Sequence, residues 1–120
     1  MAKKTPLLKD NKLYIWDEYE TRYTINGRDD ITDSQVWPYW MEFLEREKSL
    51  RVEYTEKSGD KLKYSVYKVK HPEEGHGWFW VAHKQVNGRR YRKYIGKNAN
   101  MTGQKLYAVA REICQTRIAV

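Results

Sequence analysis

Side chains that can read nucleobases and hold phosphates cluster around one turn of this chain, Asn87-Gly88. His83 and Gln85 precede the turn, and Arg90 and Arg92 follow it. Arginine can form two hydrogen bonds with guanine, and glutamine can do the same with adenine. These four residues are the candidate base contacts. The candidate phosphate contacts are the cations close by: Lys84, Arg89, Lys93, Lys97 and Lys105.

The turn itself predicts how these side chains are arranged. Asn-Gly readily adopts positive φ at both central positions, as a type I′ turn requires, so residues 78–86 and 89–95 are predicted to form a β-hairpin. A two-residue turn fixes the register, and opposed residues share a face. The four base-contact candidates therefore lie on one face. The other face, with Trp80 opposite Ile95, is predicted to pack on the final helix.

The charge of the chain is segregated along its length. It has 120 residues with a net charge of +7, but residues 10–60 carry a net −6 and residues 61–120 a net +10. Between Gly75 and Arg111 there are eight cations and no acidic residue. This pattern is typical of a surface that binds a polyanion. The alternative is that the acidic half folds against the basic half and neutralises it.

The elements that must position the hairpin indicate an α+β fold. Residues 1–12 are predicted to be a flexible basic arm, and residues 13–120 a single domain. Thr32 and Gln35 form a capping-box pattern that begins a helix over about 33–48. Alternating apolar residues then predict an antiparallel meander of three to four strands, and Thr102 caps a helix over about 102–118. Asn26-Gly27 predicts one further turn.

No pattern indicates catalysis, so we expect a protein that is not an enzyme and has no cofactor or small-molecule substrate. His71 and His76 flank two glutamates but offer too few ligands for a metal site. The single cysteine, Cys114, lies on an apolar helix stripe and is predicted to be core. Tyr94 and Trp78 are candidates for stacking on bases, with core packing as the alternative. The chain contains no apolar run long enough for a membrane span, and a cytoplasmic, nucleoid-associated location is expected.

Residues 77–115 resemble a known module. The run Gly77–Lys97 has an aromatic strand, a basic strand after Asn-Gly and the ending Tyr-Ile-Gly-Lys, and Met101–Leu106 opens a Thr-capped helix. This pattern is similar to the arm-type DNA-binding domain at the N-terminus of phage integrases and to related modules of mobile-element proteins. The resemblance implies that the sheet face opposite the helix enters the major groove. Integrases continue into a core-binding and a catalytic domain that this sequence does not include, so we expect no recombinase active site.

These observations together predict a non-catalytic protein that binds double-stranded DNA through the hairpin 78–95, in a regulatory or mobile-element accessory role. Two alternatives stay open. One is a binder of RNA or single-stranded nucleic acid, which stacking aromatic residues would favour. The other is a protein-interaction module, an inhibitor or adaptor, in which the acidic helix 33–48 binds a protein partner.

Overall fold

The computed structural model describes residues 5–16, 23–73, 75 and 77–115. They form seven strands and two α-helices, which confirms the predicted α+β class. Helix α1 (Trp37–Arg46) precedes the last four strands, and helix α2 (Gly103–Gln115) follows them. The strands are β1 (Leu7–Lys9), β2 (Lys12–Trp16), β3 (Tyr23–Asp30), β4 (Ser49–Thr55), β5 (Lys61–Lys70), β6 (Trp78–Val86) and β7 (Arg89–Gly96).

All seven strands belong to one sheet, in the order β3-β2-β1-β4-β5-β6-β7. Neighbouring strands are antiparallel except β1 and β4, which are parallel. Strands β4 to β7 form the predicted meander. The expectation of three to four strands is too low, because the N-terminal segment adds three more strands beyond β4.

Strand β1 corrects the prediction of a flexible basic arm over residues 1–12. Residues 1–4 lie outside the described part of the chain, but Leu7–Lys9 pairs with β4 in the interior of the sheet. Leu8 is 0% exposed, and the Arg51 amide donates to the carbonyl of Pro6 at 2.9 Å. A strand of three residues is too short to show a period of two, so the sequence pattern gave no sign of it.

A two-residue turn of Asp10 and Asn11 joins β1 to β2. Both residues have positive φ, 48° and 68°, a conformation that Asp and Asn adopt more readily than most residues. Their side chains also tie the turn to β4. Asp10 accepts a hydrogen bond from the amide of Thr55 at 2.8 Å, and Asn11 accepts one from the hydroxyl of Tyr54 at 2.6 Å. The turn therefore holds β1 and β2 in place.

The turn predicted at Asn26-Gly27 does not reverse the chain, because both residues lie within β3. The pairing of β2 with β3 is irregular at this point: Tyr14 is opposite Ile25, whereas Lys12 is opposite Asp30. Three residues of β2, 12–14, thus lie opposite six residues of β3, 25–30. The extra residues form a bulge, in which turn-forming residues are common.

Helix α1 begins later than the sequence predicts, and the capping box at Thr32 does not form. The amide of Gln35, which the Thr32 hydroxyl would have to accept from, donates to Asp33 Oδ1 at 2.8 Å, while the Thr32 hydroxyl itself donates to Asp30 Oδ1 at 2.6 Å. The helix starts at Trp37, which puts Pro38 in its first turn, where a missing N–H costs nothing. Its predicted apolar face is confirmed, since the four side chains are buried: Val36, Trp40, Phe43 and Leu44.

Helix α2 matches the prediction closely over its described length. The Thr102 hydroxyl accepts a hydrogen bond from the amide of Lys105 at 3.1 Å, as an N-cap should. Residues 116–118, the end of the predicted helix, lie outside the described part of the chain. The apolar stripe is buried as expected: Leu106, Val109, Ala110, Ile113 and Cys114. Neither helix of the described chain is long and apolar enough to span a membrane.

The core lies between one face of the sheet and the two helices. Trp40 of α1 and Trp80 of β6 are almost fully buried, and each indole N–H has a partner at 2.7 Å: the carbonyl of Met101 and Oδ1 of Asn98. The hydroxyl of Tyr64 donates to the carbonyl of Leu106 at 2.7 Å. We call this side of the sheet the helix face and the opposite side the open face.

Replacement of Leu8 by alanine tests whether β1 is part of the core. We expect Leu8→Ala to lower the free energy of unfolding by about 2–5 kcal/mol, since it removes buried methyl groups and leaves a cavity. Lys12→Ala, in the exposed start of β2, is the control and should change stability by less than about 0.5 kcal/mol. Urea denaturation measures both. Equal, small effects would mean that residues 7–12 are an arm after all.

Candidate nucleic-acid interface

The two faces of the hairpin β6–β7 differ as predicted. The register places Gln85 opposite Arg90 and His83 opposite Arg92, all on the open face. Trp80, Ala82 and Ile95 are buried on the helix face. One pair differs from the prediction: Trp80 is opposite Gly96 and not Ile95, because the register shifts between Trp80 and Val81. The bulge lies beyond the four candidate base contacts and leaves their face unchanged.

Arg90, Arg92 and Gln85 are exposed at one end of this hairpin, and His83 beside them is half-buried. Within the described residues, no carboxylate lies at ion-pair distance from Arg90 or Arg92. The acidic half of the described chain therefore does not neutralise these guanidinium groups. Opposed side chains in such a sheet have Cβ atoms about 4.5–5.5 Å apart, so each pair can act on one ligand.

The neighbours of His83 fix the packing of its ring and lower its pKa. Its ring packs edge-on against Tyr67, with 4.9 Å between ring centroids. Burial lowers the pKa of His83, and the positive charges of Arg90 and Arg92 lower it further. The imidazole is consequently neutral at pH 7, with one nitrogen that donates and one that accepts. It can hydrogen-bond to a base edge without adding a charge.

The candidate phosphate contacts do not all lie with the base contacts. Lys84 and Lys93 lie on the helix face: Lys84 Nζ donates to the carbonyl of Lys63 at 2.7 Å, and Lys93 Nζ contacts Glu112 Oε1 at 2.7 Å. Arg89 is exposed beside the turn and opposite Val86. Lys97 follows β7 and Lys105 lies on α2, both exposed. Lys84 and Lys93 therefore lie on the opposite side of the sheet from the four candidate base contacts.

Other cations on the open face were missed by the sequence analysis. In β4 and β5, Arg51 is opposite Ser65, and Glu53 is opposite Lys63. In β1, Lys9 is opposite Glu53. Arg51 falls within residues 10–60, which carry a net charge of −6, so its place in the sequence indicated no role in binding an anion. The alternation of β4, with Leu50, Val52 and Tyr54 inside, does place Arg51 and Glu53 outside and could have pointed to them.

The two stacking candidates lie on different faces. Tyr94 is 60% exposed on the open face, and its ring centroid is 5.2 Å from that of Phe79. Trp78 is 51% exposed and alternates with Trp80 and Ala82, which places it on the helix-face side at the end of β6. Only Tyr94 therefore shares a surface with the candidate base contacts, two residues beyond Arg92 along β7.

The loop before β6 offers no metal centre among the described residues, where no group of three His, Cys, Asp or Glu side chains comes together. His71 Nδ1 accepts a hydrogen bond from the amide of Glu73 at 3.1 Å, and its ring packs on Phe79. Glu74 and His76, also considered in the sequence analysis, lie outside the described residues.

Helix α1 is the surface that the protein-interaction alternative would use, and it has an exposed tyrosine beside a groove. Tyr39 is 70% exposed, and it borders a groove of about 190 Å³ between α1 and β2. Leu13, Ile15 and Phe43 line this groove. Glu45 of the same helix is engaged within the chain, since its Oε1 accepts a hydrogen bond from Asn98 Nδ2 at 2.7 Å.

Comparison with family models, with curated proteins and with solved structures finds no match to this chain. The resemblance of residues 77–115 to integrase arm-type domains therefore stays a prediction.

The titration of His83 tests the electrostatics of this face. We expect an NMR-measured pKa below the ordinary value of 6.5, and a higher pKa in Arg90→Ala, because a neighbouring positive charge is removed. Arg89→Ala, a loss of the same charge on the other face, should leave the pKa nearly unchanged. A pKa of His83 at or above 6.5 would contradict this account.

The same shift predicts how stability depends on pH. The unfolded chain takes up a proton on His83 near pH 6.5, whereas the folded chain resists protonation until a lower pH. Above about pH 6.5 the free energy of unfolding does not depend on the titration of His83. As pH falls from 6.5 towards the lower pKa of the folded state, the free energy of unfolding decreases. His83→Gln should remove this part of the pH dependence in denaturation curves recorded between pH 5 and pH 8.

Proposed function

We propose that this chain binds double-stranded DNA without catalysis and inserts the β6–β7 hairpin into the major groove. The observation that carries the proposal is the pair of opposed residues on the open face, Gln85 with Arg90 and His83 with Arg92. The arginines are exposed and unpaired with carboxylates in the described chain, so they are available to a ligand.

The dimensions of the hairpin suit a groove. Strands lie about 4.8 Å apart, so a two-stranded ribbon fits a major groove about 12 Å wide. Strand β7 is at the edge of the sheet, which lets the hairpin enter from that side. Successive open-face pairs are about 6.8 Å apart along the strands, close to two base-pair steps.

The side-chain types supply both readout and attraction. Arg90 and Arg92 can each form two hydrogen bonds with a guanine, and Gln85 can do so with an adenine. The neutral His83 can donate to or accept from a base edge. Arg51, Lys63 and Lys9, on strands further from the edge, lie where the DNA backbone beside the groove would pass, and Lys97 lies beyond the end of β7.

The biological setting of such a protein follows from this activity. A chain with these parts suits a regulator of transcription or an accessory protein of a mobile element, acting in the cytoplasm at the nucleoid. The resemblance of residues 77–115 to integrase arm-type domains supports this role, since in those domains the sheet face opposite the helix meets DNA.

One observation favours a second candidate, the binding of single-stranded nucleic acid. Tyr94 and Phe79 expose an aromatic surface on the same face as the arginines, and unpaired bases stack on such rings. A gel shift that compares duplex DNA, single strands and RNA separates the two. Preference for single strands, together with a large loss of affinity in Tyr94→Leu, would favour this candidate over duplex binding.

Arginine substitutions test base readout. We expect Arg90→Ala and Arg92→Ala each to weaken binding to a selected site by about 1–3 kcal/mol, a factor of about 5 to 160, and to weaken binding to random duplex much less. The site is first obtained by selection from a random duplex library. Arg89→Ala is the matched control and should weaken both DNAs alike. Equal losses on both DNAs in Arg90→Ala and Arg92→Ala would reject base readout.

Lysine substitutions test phosphate contacts. We expect Lys97→Ala to weaken binding to every duplex to a similar extent and to reduce the slope of log K against log salt by about 0.9, the value for one lost phosphate contact. Lys93→Ala should have a smaller effect, because Lys93 is already paired with Glu112. An unchanged salt slope in Lys97→Ala would exclude that lysine from the DNA backbone.

A further inference from the structure

The open face is not flat next to the hairpin. A concavity of about 330 Å³ lies between strands β4 and β7. Its polar lining includes Arg51, Lys63, Ser65, His83 and Arg90. Ser65 is at the centre, because it is opposite Arg51 on one side and opposite His83 on the other. Its short side chain between two long ones leaves the depression.

The lining of the concavity is rich in hydrogen-bond donors. Two guanidinium groups, Arg51 and Arg90, and the ammonium of Lys63 carry positive charge, and Gln85 and Ser65 add neutral donors. Groups of this kind form short, charge-assisted hydrogen bonds with phosphate oxygens. A planar guanidinium in particular can bind two oxygens of one phosphate.

One carboxylate also lines the concavity, and its charge is already balanced. The carboxylate of Glu53 is 3.8 Å from Lys9 Nζ and 3.7 Å from Lys63 Nζ. With these two lysines the group around Glu53 has a net positive charge, so Glu53 does not exclude an anion.

The concavity is large enough to hold a nucleotide and not only a simple inorganic ion. Pockets that hold small organic ligands begin at about 300 Å³, which this concavity reaches. A phosphate together with its sugar fits, and the phosphate then lies beside Arg51 of β4 and Lys63 of β5, which leaves Arg90 of β7 to the bases. We propose that this concavity binds one phosphoryl group of a nucleotide, and that in the DNA complex the group is a backbone phosphodiester beside the groove that holds β6 and β7.

This inference rests on the proposed function, because the geometry of the hairpin determines which phosphate reaches the concavity. Strand β5 is one strand away from the hairpin, at about 4.8 Å, and β4 is two strands away. If the hairpin lies in the groove, these strands lie over the DNA backbone that borders it. The same chemistry could instead hold the phosphate of a free mononucleotide, so the test separates the two sources.

The first experiment titrates the ¹⁵N-labelled protein with thymidine 5′-monophosphate, with thymidine as the uncharged comparison. We expect the monophosphate alone to shift amide signals around Ser65 and to raise the pKa of His83, because a bound anion favours the imidazolium form. Ser65→Leu fills the concavity and should weaken binding by about tenfold or more. Ser49→Leu, the same change on the open face but outside the lining, should not.

Two results would overturn the anion site itself. One is the absence of monophosphate-dependent shifts around Ser65. The other is a titration that Ser65→Leu leaves unchanged. Circular dichroism and denaturation curves of Ser65→Leu and Ser49→Leu establish that both variants are folded, and Arg51→Ala provides a second route, since it removes a cation from the lining without filling the space.

The second experiment identifies the source of the phosphate with duplexes that carry one neutral methylphosphonate at successive backbone positions. We expect one position at which the change weakens the wild-type protein by about tenfold and leaves Ser65→Leu unaffected. If the wild-type protein and Ser65→Leu both bind duplex and lose the same affinity at every methylphosphonate position, the proposed contact between the concavity and the DNA backbone is rejected, while DNA binding itself is not. If neither binds duplex but the monophosphate titration is positive, the proposed function fails and the concavity is a site for a free nucleotide.

Discussion

The burial of two tryptophans on one side of the sheet is the constraint on which the rest of this structure depends. Trp40 and Trp80 lie almost fully buried on the helix face, and each indole N–H is satisfied, by Met101 and by Asn98. An unpaired buried N–H would cost about 1–3 kcal/mol, so these two bonds make the burial favourable. Both helices pack on this side, and the opposite face carries the candidate base contacts together with Phe79 and Tyr94.

The open face concentrates positive charge without placing cations directly opposite one another in strands β4 to β7. Arg90 is opposite Gln85, Arg92 is opposite His83, Arg51 is opposite Ser65 and Lys63 is opposite Glu53. Directly opposed like charges destabilise a sheet, and His83 avoids this cost because its lowered pKa keeps it neutral. A basic surface can therefore be maintained without direct repulsion between opposed side chains.

Local signals predicted an element well where no long-range pairing and no other hydrogen-bond acceptor competed with them. The Asn87-Gly88 turn and the stripe from Leu106 to Cys114 depend on neighbouring residues, and both were predicted. Strand β1 is three residues long, too short for a period, and Asn26-Gly27 forms part of a bulge because the pairing of β2 with β3 overrides the local turn preference. The capping box at Thr32 fails for a similar reason, because the Gln35 amide donates to the carboxylate of Asp33 and not to the Thr32 hydroxyl.

The sequence by itself determined which hairpin side chains share a face, since a two-residue turn and the alternation of a strand are local properties of the backbone. It also determined the stripe that α2 buries. Only the tertiary structure decided that Lys9, Arg51 and Lys63 join Arg90 on one surface around a concavity. That surface depends on the order of strands in the sheet, with β1 parallel to β4, and strand order is set by long-range pairing that no short stretch of sequence encodes.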